Sequence, residues 1–348
     1  MPGHANFTHL HLHTEYSLLD GAIRLPDLFQ KAKELRLPSL AMTDHGAMYG
    51  TVEFYKAAMK AGVKPIIGCE AYVAPGRMGD RTPGPDGENY YHLILLARNQ
   101  EGYSNLCRLV SAANRKGFYY KPRIDKEILQ ELSGGLIGLT ACLQGEVPFN
   151  LRRGRVEKAK QVAEEYAGIF GEGNFYFELM ENGFAEQKEV NSGLIDLGRE
   201  LSIPLVATND CHYLEREDAL SHEVLLCIQM GKTMADEKRM RMETDALYVR
   251  SPEEMSELFA HCPEAITNTI EIANRCNVEL NFNTYHFPKY DTQEDESLAD
   301  CMDRLSREGL QKRLEHFQFD SPEAEAATRK SYEERLETEL RVIREMDF

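Results

Sequence analysis

At 348 residues with 42% hydrophobic content, the chain can bury a large core and is long enough for one large domain with an appendage or for two ordinary ones. A net charge of −17 excludes a free-standing nucleic-acid binder of the usual basic kind, because phosphate contacts need concentrated positive surface. No run is apolar enough to span a bilayer, no signal-peptide core opens the chain, and the eight cysteines form no CxxC pair, so the expectation is a cytoplasmic protein without membrane contact or disulfide scaffold.

Strand-like runs are predicted at 7–14, 39–44, 65–74, 91–98, 136–143, 175–180 and 204–212. Helical spacing lies between them at 26–35, 51–61, 101–116, 156–170 and 187–201. Seven strands alternating with helices predict an α/β architecture with a parallel sheet, closed or open. Metal-capable side chains stand at the ends of strands from first to last, and only a closed barrel gathers all those ends at one mouth. Residues 231–250 are polar, hold the run Lys238-Arg239-Met240-Arg241-Met242, and read as an exposed loop or hairpin. One or two helices follow over 252–277, with Ser251 as N-cap before Pro252 and Glu254 in the first turn. A linker is expected at 281–295, then amphipathic helices at 297–316 and 332–347. The domain division is therefore 1–285 and 286–348. The last 58 residues carry 17 acidic against 9 basic side chains and stop without a polar tail, as expected for the front part of a longer protein.

His11 and His13 sit two apart in one β-like run, and Asp210 and His212 two apart in another. Side chains at i and i+2 of a strand share a face, so each run offers a donor pair, and two pairs with further His, Glu and Cys residues can hold several metals. This points to a polynuclear metallohydrolase. Taken alone, His92 or Cys142 reads as a core side chain. Asp44, beside His45, is either an imidazole-orienting partner or a helix cap. His9 shares the parity of His11 but is read as structural, and Cys69 and Cys211 as core. Lys121 and Arg123, in a Tyr-Tyr-Lys-Pro-Arg loop, combine stacking surface with phosphate-binding charge; Arg77 and Arg81 are weaker candidates of the same kind.

Six motifs occur in order: HLHLHTEYSLLDG from His9, AMTDHGAMYG from Ala41, GCEAYV from Gly68, YYHLILLA from Tyr90, LTACLQGEV from Leu139 and ATNDCHY from Ala207. With GFYYKPRID from Gly117 and YHFPKY from Tyr285, they make the chain resemble the PHP (polymerase and histidinol phosphatase) domain of bacterial DNA polymerase III alpha subunits. The resemblance implies a distorted (β/α)7 barrel followed by a helical segment leading into a polymerase palm, whose catalytic carboxylates lie outside this chain. It also implies three metal sites: His11, His13, Glu70 and Asp210; a bridging Glu70 with His92 and Cys142; and Asp20, His45 and His212. The implied cofactors are two or three divalent transition metals, zinc foremost, with manganese or iron as alternatives. Imidazoles and a thiolate disfavour magnesium.

The activity implied is 3′→5′ exonuclease proofreading, with hydroxide made available near a metal as nucleophile and Glu70, His11, His13 and Asp210 as its setting. Its partners would be DNA, through the primer 3′ end, and replisome subunits such as a sliding clamp reached through other domains. Two other readings are a histidinol-phosphatase-like phosphomonoesterase, which Asp20 and Cys142 speak against, and a metal-stabilised structural module.

Overall fold

Long apolar runs, rather than alternating ones, mark the sheet of this chain, and they are buried on both faces as strands covered by helices must be. The computed structural model describes residues 3–284, 288, 290–292 and 296–346. Two compact units are present, Met1–Leu280 and Asn281–Phe348.

The first unit contains α1 (Leu25–Glu34), β1 (Ser39–Met42), α2 (Thr51–Ala61), β2 (Lys64–Val73), β3 (Tyr91–Ala97), α3 (Gln100–Lys116), β4 (Phe118–Tyr119) and β5 (Lys121–Ile124). It continues with α4 (Lys126–Glu131), β6 (Leu136–Leu139), α5 (Glu146–Arg152), α6 (Val156–Phe170), β7 (Phe175–Met180), α7 (Gln187–Leu201), β8 (Leu205–Thr208), α8 (Ala219–Gln229), α9 (Pro252–Leu258) and α10 (Pro263–Arg275). The second unit holds α11 (Leu298–Leu314) and α12 (Pro322–Glu345), joined by ion pairs such as Arg344 with Asp303. α12 starts ten residues before its expected beginning, where Ser321 caps it and Pro322 takes the first helical position. The motif from Tyr285 lies largely outside the described residues.

Local chemistry sets the helix starts. Asn99 accepts from the Gly102 N–H ahead of α3, Asp125 caps α4, and Ser251 with Glu254 forms a reciprocal capping box on α9. Helical phase puts Leu25, Leu28, Phe29 and Ala32 of α1 and Phe54, Tyr55 and Ala58 of α2 into one core.

The sheet runs β4-β5-β2-β3-β6-β7-β8, with β1 also on β2. Three expectations are not met. The sheet is mixed: β3 is antiparallel to both β2 and β6. Residues 74–90 join β2 to β3 without a helix, and a direct connection returns a strand antiparallel, whereas a parallel neighbour needs a crossover. His92 thus reaches the mouth from the start of a reversed strand, not from the end of a parallel one.

The expected first strand at 7–14 is likewise not a regular strand. The His9 and Leu12 carbonyls accept from Ala41 and Thr43 on one side, while His13 donates to the Cys211 carbonyl and Cys211 to the His11 carbonyl on the other. The sheet is a curled half-barrel rather than the expected seven-stranded closed barrel, and this extended segment lies between β1 and the residues that follow β8. His11 and His13 consequently sit at the seam.

Candidate metal centre

All nine expected donors converge at this seam. From residues 9–13 come His11 and His13, whose Nε2 atoms lie 3.2 Å apart. Glu70, on β2, extends Oε1 to 2.6 Å from His92 Nδ1 and Oε2 to 2.5 Å from His45 Nδ1 and 3.3 Å from His13 Nε2. Asp210 Oδ1 stands 3.0 Å from His11 Nε2 and 3.2 Å from His13 Nε2. Cys142 Sγ is 3.7 Å from His92 Nδ1. Asp20 lies 3.1 Å from His45 Nε2 and 3.8 Å from His212 Nε2.

Three groups have ligand atoms close enough to share an ion: His11, His13 and Glu70; Glu70, His92 and Cys142; and His13, His45 and His212. The second matches the expected grouping, and the first matches it apart from Asp210, which is not in the group. The third has His13 as its central imidazole, with Asp20 at its edge. The donor set fits cations for a further reason. Both Glu70 oxygens, Asp210 Oδ1 and His45 Nδ1 are buried and make no hydrogen bond despite these short approaches. Buried polar atoms are rarely left unsatisfied, and atoms facing one shared centre without hydrogen-bond geometry are arranged as ligands are.

Burial works against charge here, and the neighbours override it. Desolvation would raise the Glu70 carboxyl, but the adjacent His92 and His45 hold it well below the usual carboxylate range. Asp210 is held low against burial by His11 and His212. His45, desolvated but facing Glu70 and Asp20, is raised to about 10, whereas His13, desolvated and beside His45 and His212, falls to about 3. Burial, with Asp210 and Glu70 nearby, pushes the Cys142 thiol well up. A cation would reverse that last effect, since a coordinating thiol is deprotonated.

Backbone geometry aims these groups. Asp210 takes a left-handed φ of 51°, which Asp tolerates better than most residues. Its neighbour Asn209 is fixed by donating to the Ala246 and Tyr248 carbonyls, both at 2.8 Å. Cys142 rides a turn closed by Gly145, where a Cβ would lie 1.9 Å from the Thr140 carbonyl oxygen. Only glycine fits there.

Sequence reasoning missed three supporting residues. Glu178 on β7 accepts from His11 Nδ1 at 2.7 Å, which leaves Nε2 free to face the centre. Its signal was a carboxylate in the otherwise apolar run Phe175–Met180. Ser17 bridges His13 Nδ1, at 3.0 Å, to Asp44 Oδ1, at 2.7 Å, so Asp44 acts through a hydroxyl as an orienting partner. His222 on α8 reaches Asp20 Oδ1 at 3.4 Å. A cleft of about 670 Å³ opens over the centre. Arg152 and the stretch Met240–Glu243 line it, so part of the supposed exposed loop forms a wall of the site.

Arg123 is corrected. Its guanidinium is buried and donates to the carbonyls of Gly117, Asn89, Met78 and Asp80, so it does not face solvent as a substrate contact. Gly117 permits the close approach: a Cβ there would lie 1.8 Å from the Arg123 carbonyl oxygen. Arg123→Ala should lower the free energy of unfolding by about 3 kcal/mol, because several buried acceptors lose a charged donor. Urea melts check this, and a loss below about 1 kcal/mol would contradict the anchoring role. Lys121 stays accessible, with Nζ 5.4 Å from the centre of the Tyr72 ring. Arg77 pairs with Glu127 on the surface.

His9 stands outside the centre. Its Nε2 lies 2.9 Å from the Arg250 carbonyl oxygen and its Nδ1 3.5 Å from Cys211 Sγ. Burial lowers its pKa from 6.5 to about 4. Between those values the unfolded chain binds a proton that the folded chain refuses, so acidification through this window removes up to about 3 kcal/mol of stability. His9→Gln should therefore lose less stability than wild type between about pH 7 and pH 4.5 in urea melts. Equal losses would show that His9 does not carry the effect. All eight cysteines are free, and among the described residues no helix is long and apolar enough to cross a membrane.

A sequence model of the PHP domain family matches residues 9–182. The DNA polymerase III subunit alpha of Treponema pallidum is 47% identical over 275 residues, covering 79% of this chain and 24% of that protein. The subunit of the same name from Campylobacter jejuni is 42% identical over 372 residues, covering 99% of this chain and 30% of that protein. The chain thus spans less than a third of the length of these curated relatives. Among solved structures, a two-domain protein from Bacteroides vulgatus, containing a predicted PHP-like metal-dependent phosphoesterase, aligns at 11% identity and a TM-score of 0.34, covering 77% of this chain and 65% of that one.

Proposed function

The chain belongs to the PHP domain family, and from that premise we propose that it is a metal-dependent phosphodiesterase working as a 3′→5′ exonuclease, the N-terminal PHP domain of a cytoplasmic replicative polymerase. The observation that carries this reading is Glu70: a buried carboxylate whose two unsatisfied oxygens face imidazoles of different donor groups. When bound, two or three divalent transition ions would lower the pKa of a water from ~15.7 to ~7 and balance negative charge on a phosphodiester.

His11, His13, Glu70 and Asp210 would hold one ion, Glu70, His92 and Cys142 a second, and His45, His212 and Asp20 a third. Glu178 and the Ser17–Asp44 pair fix the His11 and His13 rings, so the nitrogens facing the centre are set before substrate arrives. Arg152 and Arg241 bring positive charge to the cleft wall, a place for the phosphates adjoining the scissile one. DNA and replisome subunits such as a sliding clamp are the partners this reading implies, and residues 286–348 are the approach to the palm.

The chain reconstituted with zinc, manganese or iron should release nucleoside monophosphates from 3′-labelled single-stranded DNA and leave phosphomonoesters largely intact. Turnover of the phosphomonoester alone would transfer the site to the phosphatase reading. No turnover of either, with a marked drop in thermal midpoint on chelation, would leave a structural module.

A further inference from the structure

The metal centre has a second approach, on the His45 side, and its rim has an unusual surface. A recess of about 250 Å³ is lined there by Leu18, His45, Tyr49, Tyr72, Tyr120 and Lys121. Large apolar side chains crowd its edge in the open: Tyr120 is 69% exposed, Tyr49 66% and Phe118 57%. Single exposed apolar residues are ordinary, but a cluster beside a reaction centre marks an interaction surface.

The hairpin β4–β5 that carries Phe118 and Tyr120 is held firmly. Arg123 is its buried anchor, tied to four carbonyls, and Tyr120 at the turn takes a left-handed φ of 60°, a conformation aromatic residues avoid. The surrounding structure maintains that conformation with the ring displayed outward, 4.6 Å from Tyr119.

Charge identifies the occupant. Although the chain is net −17, Arg115 and Lys116, in the exposed last turn of α3, and Lys121 enter no ion pair among the described residues. Asn114 of the same turn lines the recess. Cations that enter no ion pair, Arg115 and Lys116 before and Lys121 after the exposed rings of Phe118 and Tyr120, set phosphate-binding charge on both sides of base-stacking surface, a combination suited to a single strand. The line continues inward: Lys121 lies over Tyr72, and the Tyr72 ring stacks toward His45 with centroids 6.1 Å apart.

We propose that α3's last turn and the β4–β5 hairpin form a docking track for a single-stranded polynucleotide, with phosphates on Arg115, Lys116 and Lys121, bases on Phe118 and Tyr120, and the strand end directed along Tyr72 to the metal centre. The delivery step rests on the phosphodiesterase reading; the docking surface is tested without it.

The test is a fluorescence-anisotropy titration of the 348-residue chain with labelled oligothymidylate, run without added metal at several salt concentrations. Phe118→Ala combined with Tyr120→Ala should weaken binding by about tenfold or more, as expected for losing base-stacking rings, while Tyr120→Phe keeps most of the affinity. Arg115→Gln, Lys116→Gln and Lys121→Gln together should flatten the dependence of log affinity on log salt by about 2, at roughly 0.7 per phosphate contact on a single strand. Thermal midpoints at the wild-type value establish that the variants are folded. Unchanged affinity and salt slope would overturn the proposal. So would ring variants that alter only self-association in sedimentation, since the patch would then be a protein contact. Because no metal is present, failure of hydrolysis elsewhere sinks the phosphodiesterase reading and leaves this result standing.

Discussion

Glu70→Gln should lose metal and hydrolysis together, with activity on single-stranded DNA down by about a thousandfold or more. The carboxylate is buried, charged against its desolvation cost, and faces His11, His13, His45 and His92 through two oxygens without a hydrogen bond. The amide keeps the volume but removes the charge that two ions would share. Several kcal/mol of charge stabilisation at a metal centre corresponds to that loss of rate. His9→Gln, in the same extended segment as His11 and His13 but hydrogen-bonded to Arg250, should keep most of the activity. Similar losses in both variants, each folded by circular dichroism, would mean the reactive face has been assigned to the wrong residues.

Glu178→Ala is expected to weaken metal binding by about 10- to 100-fold, the usual consequence of removing the carboxylate that orients a ligating imidazole. Among the described residues Glu178 Oε1 bonds to His11 Nδ1 and Thr208, so its effect reaches the centre through the tautomer and tilt of the His11 ring. Competition with a chromogenic chelator measures the affinity, and the His11 ring nitrogen signals in NMR report the tautomer. An unchanged affinity with an altered tautomer would show that His11 is not a ligand.

Much of the site was legible because its donors recur in short motifs: His11 and His13 converge on the centre, as do Asp210 and His212, although neither pair lies in a regular strand and Asp210 takes a left-handed φ. The five helices expected before residue 202 begin and end within a residue of their predicted limits, since apolar spacing, Asn99 and the flanking glycines mark them. Less was legible where distant backbone decides. The segment of residues 7–14 has strand composition, but its hydrogen bonds are divided between Ala41, Thr43 and Cys211, so no regular ladder forms. The reversal of β3 depends on what residues 74–90 do, and composition does not show whether a connection crosses the sheet. Arg123 misled for a similar reason. A guanidinium in a polar loop looks exposed until the carbonyls that surround it are known. Glu178 shows the converse, a lone acid in an apolar strand whose partner lies 167 residues away.

The central claim is that this seam is built for metal ions, and elemental analysis of the reconstituted, gel-filtered chain tests it most directly. The account predicts two or three transition-metal ions per chain, falling sharply in Glu70→Gln. Fewer than one ion per folded wild-type chain would contradict it.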